Sequence, residues 1–112
     1  MRKYALILLI IMLAGTIFLE AATTGKLAVR VRDNSGRPIE FVNIVVMQGN
    51  QRITGGQTNA KGTAIIINIP PGLYTVKFSL IGYDTVVFND VRIIVDQTTN
   101  LTPTMNKSGF EM

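Results

Sequence analysis

The sequence predicts an all-β domain carried behind an N-terminal apolar export segment. Three observations predict this. Residues 25–32 and 73–80 alternate apolar and polar side chains with period two, the pattern of half-buried strands. Clusters of turn formers separate the apolar runs: Asp33 to Pro38, Asn59 to Gly62, Pro70 to Gly72, and Gly82. An uncharged apolar run from Tyr4 to Leu19 follows Arg2 and Lys3, which is the layout of a secretory signal.

The chain has 112 residues, enough for one domain. It contains no Cys and no His. Disulfide staples, thiolate nucleophiles, Cys/His zinc sites and His general bases are therefore excluded together. The formal charge is +4, and the basic residues after the leader are scattered rather than clustered. A nucleic-acid footprint needs a basic patch, so no nucleic-acid partner is expected, and no cofactor is expected either.

The leader is expected to span residues 1–21, with cleavage after Ala21. As a helix, the run from Tyr4 to Leu19 would be about 24 Å long, short of the ~30 Å hydrocarbon core of a bilayer. An uncleaved anchor is the alternative. Leu13-Ala14-Gly15 resembles the start of a lipobox, but Thr16 stands where the lipidated Cys would be. A membrane is thus expected to be met only through this segment or through a further C-terminal domain.

The first strand runs from Gly25 to Arg32, with Leu27, Val29 and Val31 inward and Arg30 and Arg32 outward, where they read as a solvated face that discourages edge pairing. Asp33 to Pro38 is a turn. Ile39 to Met47 is a second strand: Val42, Ile44 and Val46 share one face, and Phe41, Asn43 and Val45 the other. A short strand at Ile53-Thr54 is interrupted by Gly55-Gly56, a place for a bulge or an irregular crossing. Asn59 to Gly62 suits a type I turn with Gly in the left-handed position. Beyond it, Ala64 and Ile66 point inward and Ile65 and Ile67 outward.

Pro70-Pro71 removes two backbone donors, so it marks a corner and not mid-sheet. Tyr74, Val76, Phe78 and Leu80 then form the cleanest inward row. Two short apolar runs follow, Asp84 to Phe88 and Val91 to Val95, with Asn89-Asp90 as a turn between them. Asp96 to Asn100 is a loop, and Leu101, Pro103 and Met105 form a final edge strand. Residues 106–112 are a polar tail or the start of a linker.

These residues carry a resemblance. Thr58-Asn59-x-x-Gly62-x-Ala64-x-Ile66-x-x-Ile69-Pro70-Pro71-Gly72-x-Tyr74-x-Val76, then Ser79-x-x-Gly82-Tyr83, is similar to the carboxypeptidase regulatory-like family. Upstream, Val29-x-Val31-x-Asp33-x-x-Gly36-x-Pro38-Ile39 resembles its opening motif. The resemblance covers about Gly25 to Met105. It implies a seven-stranded antiparallel Greek-key β-sandwich of transthyretin type over residues 25–105. It also implies an accessory role: such domains accompany metallocarboxypeptidases and precede the plug of TonB-dependent outer-membrane receptors.

The expected function is a non-catalytic exported module in the periplasm, outer membrane or extracellular space of a bacterium, docking a neighbouring protein domain or an envelope protein. Phe41, Val45, Ile65 and Ile67 are the candidate partner surface. The alternative is carbohydrate binding, with Tyr83 and Phe88 as candidate sugar-stacking aromatics. Catalysis is not expected: Asp33, Glu40, Asp84, Asp90, Asp96 and Glu111 fall mostly in turns, and nothing pairs any two of them.

Overall fold

The structure, a computed structural model, describes residues 2–15 and 23–108. One helix, α1 (Arg2–Gly15), is followed by seven strands: β1 (Gly25–Arg30), β2 (Asn43–Gln48), β3 (Gln51–Gln57), β4 (Thr63–Ile69), β5 (Gly72–Ser79), β6 (Val86–Ile93) and β7 (Thr98–Leu101). α1 occupies the expected leader and carries no acidic residue in its first turn. Among the described residues, no helix is long and apolar enough to cross a membrane. The expected cleavage after Ala21 lies outside the described residues, as does the end of the polar tail.

The strands form two sheets. Sheet one has the order β4-β1-β7, and sheet two the order β3-β2-β5-β6. The chain changes sheet between β1 and β2, β3 and β4, β4 and β5, and β6 and β7, which gives the Greek-key crossing of a sandwich. One pair departs from the all-antiparallel expectation: β1 and β7 run parallel, with Leu27 opposite Thr99 and Val29 opposite Leu101.

The core lies between the sheets. Leu27, Val29 and Val31 meet Ile44, Val46, Val76 and Phe78 there, all buried. The ring of Phe88 abuts that of Phe78 edge-on, with centroids 5.6 Å apart and planes at 75°. Pro70-Pro71 makes the corner by which β4 of one sheet becomes β5 of the other. Buried Tyr74 ties this corner down by donating its hydroxyl to the Pro70 carbonyl at 2.6 Å.

Four local expectations are corrected. The segment after Ile39 is not yet a strand: Phe41 has φ 67, and β2 begins at Asn43. The irregularity in β3 lies at Ile53 and not at Gly55-Gly56, because Thr54 faces Val46 while Arg52 faces Met47, leaving Ile53 as the extra residue. Asn89-Asp90 is a bulge inside one strand, not a turn between two: Tyr74 faces Val91 and Val76 faces Phe88, so β6 has one residue more than β5, and Asp90 takes φ 56. Thr98 to Asn100 is strand and not loop, while Pro103 and Met105 follow β7 and are held to Arg32 by backbone hydrogen bonds.

Candidate interaction face

Sheet one presents its outer face through alternate residues of three strands. On β4, Ile66 and Ile69 point into the core while Ile65 and Ile67 point out. The odd spacing of the inward pair comes from a bulge: Leu27 faces Ile66 but Gly25 faces Ile69, and Asn68 takes φ 59. The outward isoleucines are 71% and 56% exposed. On β1 the outward residues are Lys26, Ala28 and Arg30, with Arg32 beyond the strand end. Ala28 lies between Ile65 on one side and Asn100 of β7 on the other. Its short side chain makes it the floor of a groove of about 510 Å³, bounded by Ile65, Thr63, Arg30, Asn100 and Thr102.

The four residues expected to form one partner surface divide among three places. Ile65 and Ile67 stay together on this face. Val45 lies on β2, opposite Gly55 and Lys77, and belongs to the outer side of sheet two. Phe41 is 58% exposed and precedes β2 in a bend, where its amide donates to the Thr58 carbonyl at 3.0 Å. The core separates Val45 from the groove, and Phe41 is not among the residues that line it.

Tyr83 and Phe88 are half-buried and pack against the core. The Phe88 ring is engaged with Phe78, and the backbone of Tyr83 is held by Leu80 within the Gly82 turn. Each ring thus packs against the core and keeps part of its surface in solvent.

Asp33 has a local role. Asp33 accepts bonds from the Ser35 amide at 2.9 Å, the Ser35 hydroxyl at 2.7 Å and the Arg37 amide at 2.9 Å. The Ser35 hydroxyl bond, followed by the Arg37 amide, holds its carboxyl below the ordinary range. It is a turn carboxylate. Among the described residues, no group of three His, Cys, Asp or Glu side chains could hold a metal ion.

Sequence reasoning missed the part played by Ala28, Asn100 and Thr102. An alanine in an outward row of long side chains is a faint signal of a groove floor. The other two take their places only through the parallel pairing of β7 with β1.

Strand order, corner and core define the class, a seven-stranded transthyretin-like sandwich. The chain belongs to the carboxypeptidase regulatory-like domain family, whose model matches residues 26–106. No curated protein sequence matches it significantly. Among solved structures it is similar to the TIE protein of Bacillus anthracis, with 22% identity, a TM-score of 0.65, and coverage of 76% of this chain and 17% of that one. It is similar also to BcpA, the major pilin subunit of Bacillus cereus, with 21% identity, a TM-score of 0.61, and coverage of 77% and 31%. For the 5-hydroxyisourate hydrolase of Klebsiella pneumoniae the values are 19%, 0.53, and 75% and 92%. At these identities the likeness is one of fold. The chain spans less than a third of the length of the first two proteins.

Proposed function

We propose that this chain is a non-catalytic, exported module of the bacterial envelope that docks a protein partner through the outer face of sheet one. The observation that carries the reading is the solvent exposure of Ile65 and Ile67, side by side next to the Ala28 groove. Covering an isoleucine side chain completely contributes about 1.5–3 kcal/mol, so a partner seated here gains from both. Contiguous exposed apolar surface, unlike single scattered residues, marks interaction sites as it grows.

Export is supported by α1, which opens on Arg2 and Lys3 and is apolar beyond them, and by the fold likeness to a pilin subunit. Family membership supports an accessory role beside another domain. The finer placement we propose is the N-terminal accessory domain of a TonB-dependent outer-membrane receptor or a similar envelope protein.

The test is site-specific photo-crosslinking in a bacterium exporting the protein. A photoreactive residue at position 65 should give a discrete protein adduct in the envelope fraction. One at position 87, exposed on sheet two, should not. Equal adducts from both positions, or recovery of the protein only from the cytoplasm, would defeat the proposal.

A further inference from the structure

The outer face of sheet one is cationic as well as apolar. The groove over Ala28 continues past Arg30 and Thr102 into a second hollow of about 270 Å³ between Arg32 and Thr104. Arg30 and Thr102 line both, so the two form one trough running along β1. Its first half is apolar, floored by Ala28 and walled by Ile65. Its second half holds two guanidinium groups beside threonine hydroxyls. No outward position of β1, β4 or β7 is Asp or Glu. The nearest carboxylate along the chain, Asp33, turns one oxygen, Oδ1, to Ser35 and the Arg37 amide.

We propose that the trough binds an acidic, apolar segment of a partner protein. An apolar side chain sits over Ala28 against Ile65, and carboxylates roughly 7 and 13 Å further along meet Arg30 and Arg32, following the two-residue spacing of a strand. This names the partner class for the docking face proposed above and rests on that reading. Arginine suits the role because its planar fork takes a carboxylate through two hydrogen bonds.

Charge disfavours a second copy, and shape disfavours a bilayer. A second copy laid face to face would set Lys26, Arg30 and Arg32 of one molecule against those of the other, with no carboxylate on either face to compensate. A bilayer is met best by a protruding apolar surface, whereas the apolar half of this trough is a depression that an inserted side chain fills.

Panning the exported protein against a random linear peptide library tests the proposal. Enriched peptides should combine Asp or Glu with a neighbouring aliphatic or aromatic residue. Their affinity should fall about tenfold when Arg30→Glu and Arg32→Glu are introduced together, and should weaken with added salt. Ile65→Ser should weaken binding without changing the salt dependence, and Lys77→Glu, a charge change on the other sheet, should leave it unaltered. Thermal unfolding checks each variant, and R30Q/R32Q serves if the double reversal unfolds.

Enrichment of uncharged peptides, or enrichment indifferent to R30E/R32E, overturns the carboxylate assignment while position 65 still crosslinks and the docking reading stands. Sedimentation with anionic phospholipid vesicles in place of peptide enrichment overturns it in favour of a membrane surface. A concentration-dependent dimer abolished by Ile65→Ser overturns it in favour of a second copy.

Discussion

Thr58 shows how much a single side chain carries in this sandwich. It is buried just before the 59–62 turn. Its hydroxyl accepts from the Val42 amide at 2.9 Å and donates to the Ile39 carbonyl at 2.8 Å. These bonds satisfy the Val42 amide and the Ile39 carbonyl, beside the backbone bonds that Thr58 makes with Phe41 and Val42. Thr58→Val keeps the shape and strands both groups, which costs about 2–4 kcal/mol; Thr58→Ser should restore most of the loss in urea denaturation. Asp33 and Asn59 form a matched pair. Asn59 organises its turn as Asp33 does, accepting from the Lys61 amide at 2.9 Å and the Thr63 amide at 3.1 Å, but without a titrating group. The folded-state pKa of Asp33 lies below its ordinary 3.8, so its contribution is present above that pH and is lost as pH falls through the lowered value. Amide exchange or NMR shifts of residues 33–37 should change in that acid window, those of 59–63 should not, and Asp33→Asn should abolish the step. Gly62 is required for two reasons: φ is +72, and an added Cβ would lie 2.5 Å from the Val31 carbonyl oxygen. Gly62→Ala is expected to cost at least about 2 kcal/mol.

At the scale of elements, the strands with one clean face were legible and the irregularities were not. β1 and β5 follow their alternation because each buries one side against the opposite sheet. The Pro70-Pro71 corner was legible too, since proline excludes a ladder position by chemistry alone. Asn89-Asp90 was misread because a turn and a bulge both want a residue that tolerates the left-handed region. The choice between them is made across the pair, where β5 offers one residue fewer. The Ile53 bulge of β3 has the same origin, because β2 offers one residue fewer opposite it. The β6 bulge can be tested at Asp90 itself: Asp90→Val forces a β-branched residue to φ 56 and should cost about 1–2 kcal/mol, whereas Asp90→Gly should be neutral or stabilising. On β4, both isoleucines were legible as outward, and their exposure makes a separate prediction. Ile65→Thr with Ile67→Thr should leave unfolding stability within about 0.5 kcal/mol, because neither side chain contributes to the core. A large loss would mean that they pack within the fold.

For the whole molecule, the feature that sequence periodicity could not show is that its first and last strands are neighbours. β7 pairs with β1 in parallel, and the chain beyond it continues alongside: the Arg32 amide donates to the Pro103 carbonyl at 3.3 Å, and the Met105 amide donates to the Arg32 carbonyl at 2.9 Å. Met105 is fully buried in the core cluster. Parallel pairing has no hairpin to announce it, and Thr98-Thr99-Asn100 has the composition of a loop. The same pairing places Asn100 and Thr102 beside β1, so the trough exists only once the sandwich has closed. Closure is therefore the step on which stability and the proposed docking both depend. Met105→Ala removes a buried side chain remote from the outer face and should cost about 2–5 kcal/mol. If the sheets form one cooperative unit, probes on sheet one and sheet two should lose protection together in hydrogen exchange, at the same denaturant concentration. Deleting residues 98–108 should go further. It strips β1 of its β7 neighbour, opens Leu27, Val29 and Val31 to water and removes one wall of the trough, so the shortened protein should show neither a cooperative transition nor peptide binding. A truncated protein that still unfolds cooperatively would show that β1 is held by β4 and the opposite sheet alone.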